Sequence, residues 1–263
     1  ASGGFPTPQS TGPRYSATQT TGSVTTSYDG QVVNRRTING SLLIRHNNVT
    51  IRDTTVNATG SRYMVQAVDT ASGSCPTNLK FEYVEINGAG GDPDDAALYA
   101  SNCGYTFDHG YIHSVGRGII SSGNIIVTNS YVHTPRTYSG SHRNAILSNG
   151  GSNMSFIHNT LYCENSGCSS AVSMYGDFRP IDNVLLQNNL LATTGSYCFY
   201  GASGSDDPYE DSNLRIIGNH FSSRYRASCG IYGAIANFDN NVRGNQCYGN
   251  VWHESGSSAD SAC

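Results

Sequence analysis

Lysine is almost missing from this sequence. Lys80 is the single lysine among 15 basic residues in a chain of 263, and the others are arginines. Methionine occurs three times and glutamate is sparse, so the side chains that furnish helix surfaces are in short supply. Charged residues make up 13% of the chain and the formal net charge is −4, which leaves no basic field for a nucleic acid. No apolar run approaches the roughly 18 residues that a membrane-crossing helix requires, so no membrane association is expected. A signal peptide is not visible either, and the opening Ala1-Ser2-Gly3-Gly4-Phe5-Pro6 reads as a mature terminus left after processing. The cysteines form no Cys-x-x-Cys pair, which removes the usual sign of a zinc site.

What is plentiful points to strands and turns. The 30 glycines and 17 tyrosines stand among many Ser, Thr and Asn residues. The eight cysteines, an even number, read as disulfides of a secreted protein. Cys163 with Cys168 would clip one loop and Cys247 would tie down Cys263, leaving Cys75–Cys103 and Cys198–Cys229 as the remaining pairs. Sequence alone leaves other pairings open. Asn39, Asn48, Asn57 and Asn153 each begin an Asn-x-Ser/Thr sequon.

A repeat organises the chain. Asn48-Val49-Thr50-Ile51, Asn78-Leu79-Lys80-Phe81, Asn124-Ile125-Ile126-Val127, Asn153-Met154-Ser155-Phe156, Asn183-Val184-Leu185-Leu186 and Asn213-Leu214-Arg215-Ile216 share one pattern. A second element follows the later copies, and its Asn129, Asn159, Asn189 and Asn219 are thirty residues apart. Short strands at this period are the signature of a solenoid. The predicted fold is all-β, one parallel β-helix with three short strands per rung. About eight rungs at a rise of roughly 4.8 Å would make a rod on the order of 40 Å long. Asn at a recurring turn adopts the left-handed conformation and stacks its amide on the next. The whole chain, 1–263, forms one domain in this reading, with 1–30 an irregular cap, 31–252 the repeats and 253–263 a tail.

A third strand set lies between these copies: Ala96-Ala97-Leu98, Gly118-Ile119-Ile120, Ala145-Ile146-Leu147, Ala171-Val172-Ser173 and Cys198-Phe199-Tyr200. Aligned on these, Asp95, Arg117, Asn144, Ser170 and Ser196 would stack outward along one face, and a slip of one residue would turn them inward. Longer connections at 88–94, 135–141, 175–180 and 202–212 cluster around this sheet. Insertions on one flank of a solenoid build its binding face, and a groove along a rod suits an extended polymer. The segment His133 to Asn149 delivers Arg136, Tyr138, His142 and Arg143 to this sheet, side chains that move protons and hold carboxylates.

Residues 40 to 252 resemble the secreted right-handed parallel β-helix proteins of the pectate-lyase-like superfamily. Gly4-Phe5-Pro6, Ser141-His142-Arg143-Asn144-Ala145-Ile146 and Asp177-Phe178-Arg179-Pro180-Ile181-Asp182-Asn183 are similar to segments of the small alginate lyases of polysaccharide lyase family 31. The resemblance implies a secreted enzyme that cleaves an acidic, uronate-containing polysaccharide, here expected as a monomer. The chain departs from the pattern at Asn144, where an acidic residue is usual. Lys80 lies on a different strand set and cannot serve as a lysine base. The polygalacturonase residue set is absent apart from the dipeptide Asp94-Asp95.

β-Elimination needs a partner for the uronate carboxylate, a base for the C5 proton and an acid for the leaving oxygen. Asn144, His142 and Arg143 or Arg117 are the candidates for the first two, with Tyr138 or Tyr175 as acid, a nearby Arg favouring phenolate. Arg117, Arg136, Tyr175, Arg179, Asp95 and Asp177 are the expected substrate-binding residues. The bland alternatives are a structural turn histidine, an arginine turned away from the groove, and tyrosines that merely occupy strands or stack on sugars. Hydrolysis would instead need two carboxyl groups about 5–9.5 Å apart. Asp95 and Asp177, three rungs apart, would be separated by about 14 Å; Asp177 with Asp182 is nearer, but Asp182 reads equally as a turn cap. A non-catalytic sugar-binding β-helix is the third reading. Asp92-Pro93-Asp94-Asp95 offers oxygen ligands to calcium without a regular loop spacing, so a solvated turn comes first and no cofactor is expected. His113 and His133, at matching positions, read as structural, with no third metal ligand apparent. Asp206-Asp207 and Glu210-Asp211 read as an exposed acidic loop.

Overall fold

The computed structural model describes residues 4–60, 63–100, 102–204 and 207–263. Asp206 of the acidic loop and the first three residues therefore lie outside the described residues. The chain winds through three parallel sheets, of ten, nine and nine strands, each strand pairing with its equivalents one turn earlier and one turn later. This is a parallel β-helix. Ten strands in one sheet exceed the eight rungs expected and give a stack of about 43 Å at the usual strand spacing.

The rungs stack like on like. In the first sheet, Val56, Ile86, Ile112, Val132, Leu161, Leu191 and Phe221 follow one another in register. In the third sheet, Phe81, Phe107, Val127, Phe156, Leu186 and Ile216 do the same. All of these side chains are buried and together form one continuous core. Each contributes about 1.5–3 kcal/mol relative to exposure.

Two asparagine systems mark the turns. Asn48, Asn78, Asn124, Asn153, Asn183 and Asn213 all have positive φ, as the repeat implied. Their amides stack at the surface: Asn78 Nδ2 donates to Asn48 Oδ1 at 2.9 Å and Asn183 Nδ2 to Asn153 Oδ1 at 2.8 Å. The second system is buried and offset by one residue from the spacing expected. Asn129 has positive φ and faces His158, while Asn159 lies in register with Ser130. The ladder therefore runs Asn159, Asn189, Asn219, Asn250, and the left-handed position belongs to the residue before each, His158, Asn188, Gly218 and Gly249. Each amide oxygen of Asn189, Asn219 and Asn250 accepts from the backbone N–H and the side-chain amide of the asparagine below, at 2.9–3.2 Å. The amide nitrogen also donates back to a core-strand carbonyl, Phe156 in the case of Asn189. Asp260 Oδ1 closes the ladder by accepting from the N–H of Asn250 at 2.8 Å, so the C-terminal segment is a lid with Ala259 buried beneath it.

Residues 4–30 include regular strands. Gln19–Thr21 and Val24–Thr25 are the first strands of two sheets. Upstream of them, residues 5–14 form a strap across the first sheet, directed from late rungs to early ones. Phe5 packs edge-on against His220, the Pro6 carbonyl accepts from Thr160 Oγ1, and the Gly12 N–H donates to the His109 carbonyl. Arg14 ends the strap on Asp53, with Nε to Oδ1 at 3.0 Å and Nη2 to Oδ2 at 2.8 Å.

Four disulfides join Cys75–Cys103, Cys163–Cys168, Cys198–Cys229 and Cys247–Cys263, the pairs set out from the sequence. No helix among the described residues is long and apolar enough to cross a membrane.

Two outcomes follow. Asn189→Ala orphans several buried groups, each costing about 1–3 kcal/mol, and should lower unfolding free energy by on the order of 3 kcal/mol in denaturant titration. Asn183→Gly, which keeps positive φ on the exposed stack, should stay within about 0.5 kcal/mol. The Arg14 guanidinium holds the Asp53 carboxyl below its ordinary value. A depressed folded-state pKa gives stability present above the unfolded value near 3.9 and lost as pH falls through the folded one. Thermal melts of wild type and Asp53→Asn should therefore differ by about 1–3 kcal/mol at neutral pH and converge in acid.

Candidate active site

The second sheet carries the longer connections and a groove of about 660 Å³. Its strands pair so that Leu98, Ile119, Ile146, Val172, Phe199 and Ile235 face the core in one row. Two positions before these stand Ala96, Arg117, Asn144, Ser170 and Tyr197. Arg117, Asn144 and Ser170 thus share a row, but Ser170 is fully buried and not among the lining residues; Asp95 and Ser196, expected in the same row, are one residue out of register, and Ser196 does line the groove. Asp95 is buried and does not line the groove.

Arg117 begins the strand Arg117–Ile120 and marks one end of the groove. Its Nε donates to Tyr138 Oη at 2.6 Å, and Nη2 pairs with Asp94 Oδ1 at 2.8 Å. Tyr138 stands behind Arg117 and is not among the lining residues. Partial burial raises its phenol pKa more than the Arg117 hydrogen bond and charge lower it, and Asp94 adds to the rise. The arginine thus does not convert Tyr138 to phenolate, contrary to the sequence argument.

His142 is exposed, lines the groove and makes no side-chain hydrogen bond to another of the described residues. Asn144 lies on the floor, 4% exposed. Both hydrogens of its amide are spent, on Ser170 Oγ at 2.9 Å and Ser173 Oγ at 2.8 Å, so it presents no free donor to a carboxylate. Arg143 is fully buried, and its guanidinium donates to the carbonyls of Thr134, Glu164 and Ser166, each at 2.7 Å. It braces neighbouring turns from the inside and does not reach the groove, the alternative that its position between His142 and Asn144 left open. Arg136 likewise spends its guanidinium on the carbonyls of Gly88 and Gly91, shaping the 88–94 loop. Arg179 donates to Asn102 Oδ1 at 2.6 Å and lies outside the lining.

Tyr175 and Asp177 do line the groove. The Tyr175 ring meets Tyr200 with centroids 5.6 Å apart, and burial raises both phenol pKa values. Asp207 completes this end. Its Oδ1 accepts the Gly176 N–H at 3.0 Å, which sets a second carboxylate beside Asp177. Sequence reasoning had counted Asp207 as exposed acidic loop; the signal that could have found it was the placement of the 202–212 connection on the groove flank. Asp211, from the same reading, is buried and accepts from Asn245. Asp182 sits in the third sheet, bonded by Ser212 and Asn213, and so is remote from Asp177 in role.

The acidic turn gives calcium little to hold. Asp94 is engaged by Arg117, and Asp92 accepts the Asp94 N–H. Among the described residues, the one grouping of three metal-type side chains is Asp69, Cys75 and Cys103, whose thiols form a disulfide. His113 and His133 each pair with a glutamate, Glu85 at 2.9 Å and Glu164 at 2.7 Å.

Compared with known proteins, the chain matches no family model, no curated protein and no solved structure. The β-helix itself is shown by the three parallel sheets.

The two arginines separate by experiment. Arg143→Ala should unfold the protein about 3 kcal/mol more easily by leaving three carbonyls without their buried cation. Arg117→Ala should leave the melting temperature within a few degrees while weakening ligand binding, measured by calorimetry with oligosaccharides.

Proposed function

We propose that the chain is a secreted enzyme that degrades a uronate-containing polysaccharide by β-elimination in the groove of the second sheet. The observation that carries the reading is His142, an exposed imidazole with no internal partner, in one groove with Arg117 and Tyr175. Four disulfides fit an oxidising compartment.

Arg117 draws the C6 carboxylate and disperses the charge that builds up when C5 loses its proton. Asp94 and Tyr138 hold the guanidinium in place, which makes Tyr138 a positioning residue. His142 takes the C5 proton as general base. The C5–H electrons form the C4–C5 double bond as the C4–O bond breaks. Tyr175, kept protonated by burial, gives its proton to the departing oxygen. Asn144 and its two serines fix the floor on which the sugar lies.

Hydrolysis is the second reading, favoured by one observation: Asp177 and Asp207 line the same groove and could serve as an acid and base pair.

Alginate, polygalacturonate, glucuronan and neutral glucans are the test panel. A lyase yields an unsaturated sugar that absorbs in the ultraviolet, a hydrolase yields reducing ends alone, and a binding module yields neither. His142→Ala should lower kcat by roughly 10²–10⁴-fold. Near-normal turnover in that variant, with Asp177→Asn inactive, would replace the lyase by the hydrolase.

A further inference from the structure

The groove is polar along its length. Among the described residues its lining begins at Arg117, passes His142 and Asn144 on the next rung, then Tyr175 and Asp177, then Tyr200 and Asp207, and reaches Asn237 on the fifth. Four rung spacings of about 4.8 Å separate the ends, roughly 19 Å along the stack. Among the described lining residues the single arginine is at one end, already partly neutralised by Asp94, and both carboxylates lie further along, the Asp207 carboxylate reaching back to the Gly176 N–H beside Asp177. No second arginine or lysine stands among the described lining residues.

A chain of uronates laid along this floor would gain at Arg117 and lose at Asp177 and Asp207. Two unit charges 4 Å apart repel by about 1 kcal/mol in water and about 4 kcal/mol near a protein surface. The Asp207 carboxylate is fixed by the Gly176 N–H, so it cannot simply swing away from an arriving anion. Hydroxyl and N–H donors, in contrast, are what two carboxylates beside tyrosine faces accept.

Building on the lyase reading, we infer that the groove takes a heteropolymer in which a uronate alternates with an uncharged or amino-bearing sugar. The uronate binds at Arg117 and the non-acidic unit lies over Tyr175 and Tyr200 against Asp177 and Asp207. The two aspartates are then specificity-determining residues that reject a second uronate.

Binding of short oligosaccharides tests this independently of turnover. The probes are an oligomannuronate, a hyaluronan oligosaccharide of equal length, which alternates glucuronate with N-acetylglucosamine, and a neutral cello-oligosaccharide. The intact protein should bind the alternating probe at least about tenfold more tightly than the homo-uronate, a difference of about 1.4 kcal/mol. Added salt should narrow that gap by screening the repulsion at the carboxylate end. The double variant Asp177→Asn, Asp207→Asn should bind the homo-uronate several-fold better than the native chain, with an unchanged melting temperature.

Equal or tighter binding of the homo-uronate by the native protein, or of the neutral probe over both others, would overturn the inference. So would a double variant whose preference is unaltered. If the binding pattern holds but no probe yields an unsaturated product, the charge pattern of the groove stands and the elimination chemistry is what fails.

Discussion

The fold depends on identical groups meeting at one interval. Each rung offers its backbone N–H and carbonyl groups to the next, and a buried amide at the turn is satisfied, within the run, by an amide in the same place one rung on. The run from Asn159 to Asn250 meets that condition, with the oxygens of Asn189, Asn219 and Asn250 each taking two donors and each nitrogen reaching back to a strand carbonyl. A residue inserted into that turn would break the register of everything above it. Length variation is thus pushed to other corners of the rung, which is where the groove loops lie.

That constraint explains what could be read from the sequence. Recurring asparagines and short apolar strands reveal the solenoid because stacking makes position equal to chemistry. The cysteine pairs were approachable for the same reason: Cys198 and Cys229, 31 apart, are about one repeat from each other. The buried ladder was misaligned by one residue because Asn129 and Asn159 look equivalent, while the true partner of Asn159 is Ser130, whose N–H donates to it. The sign was in the apolar spacing: the core residue stands two before Asn129, at Val127, but three before Asn159, at Phe156.

The site was less legible, because it belongs to loops. His142, Arg143 and Asn144 are consecutive, yet one is exposed, one fully buried and one on the floor with its amide saturated. An arginine braced by three backbone carbonyls cannot be told in sequence from one that greets a substrate. Asp207 accepts the Gly176 N–H, a contact that exists only once the neighbouring loop is in place.

The strap of residues 5–14 gives this solenoid a different topology of dependence. Rungs that touch only their neighbours can assemble from either end and propagate. Phe5 and Pro6, however, are held by His220 and Thr160, which belong to late turns, while Arg14 is held by Asp53 on an early one. The strap, made before the rungs that hold it, is therefore the last to find its seat. Until the final turns form, that segment has nowhere to dock, and once it does, it fastens remote turns to each other like a stay along a mast. Fraying at either end of the stack then has to work against the other.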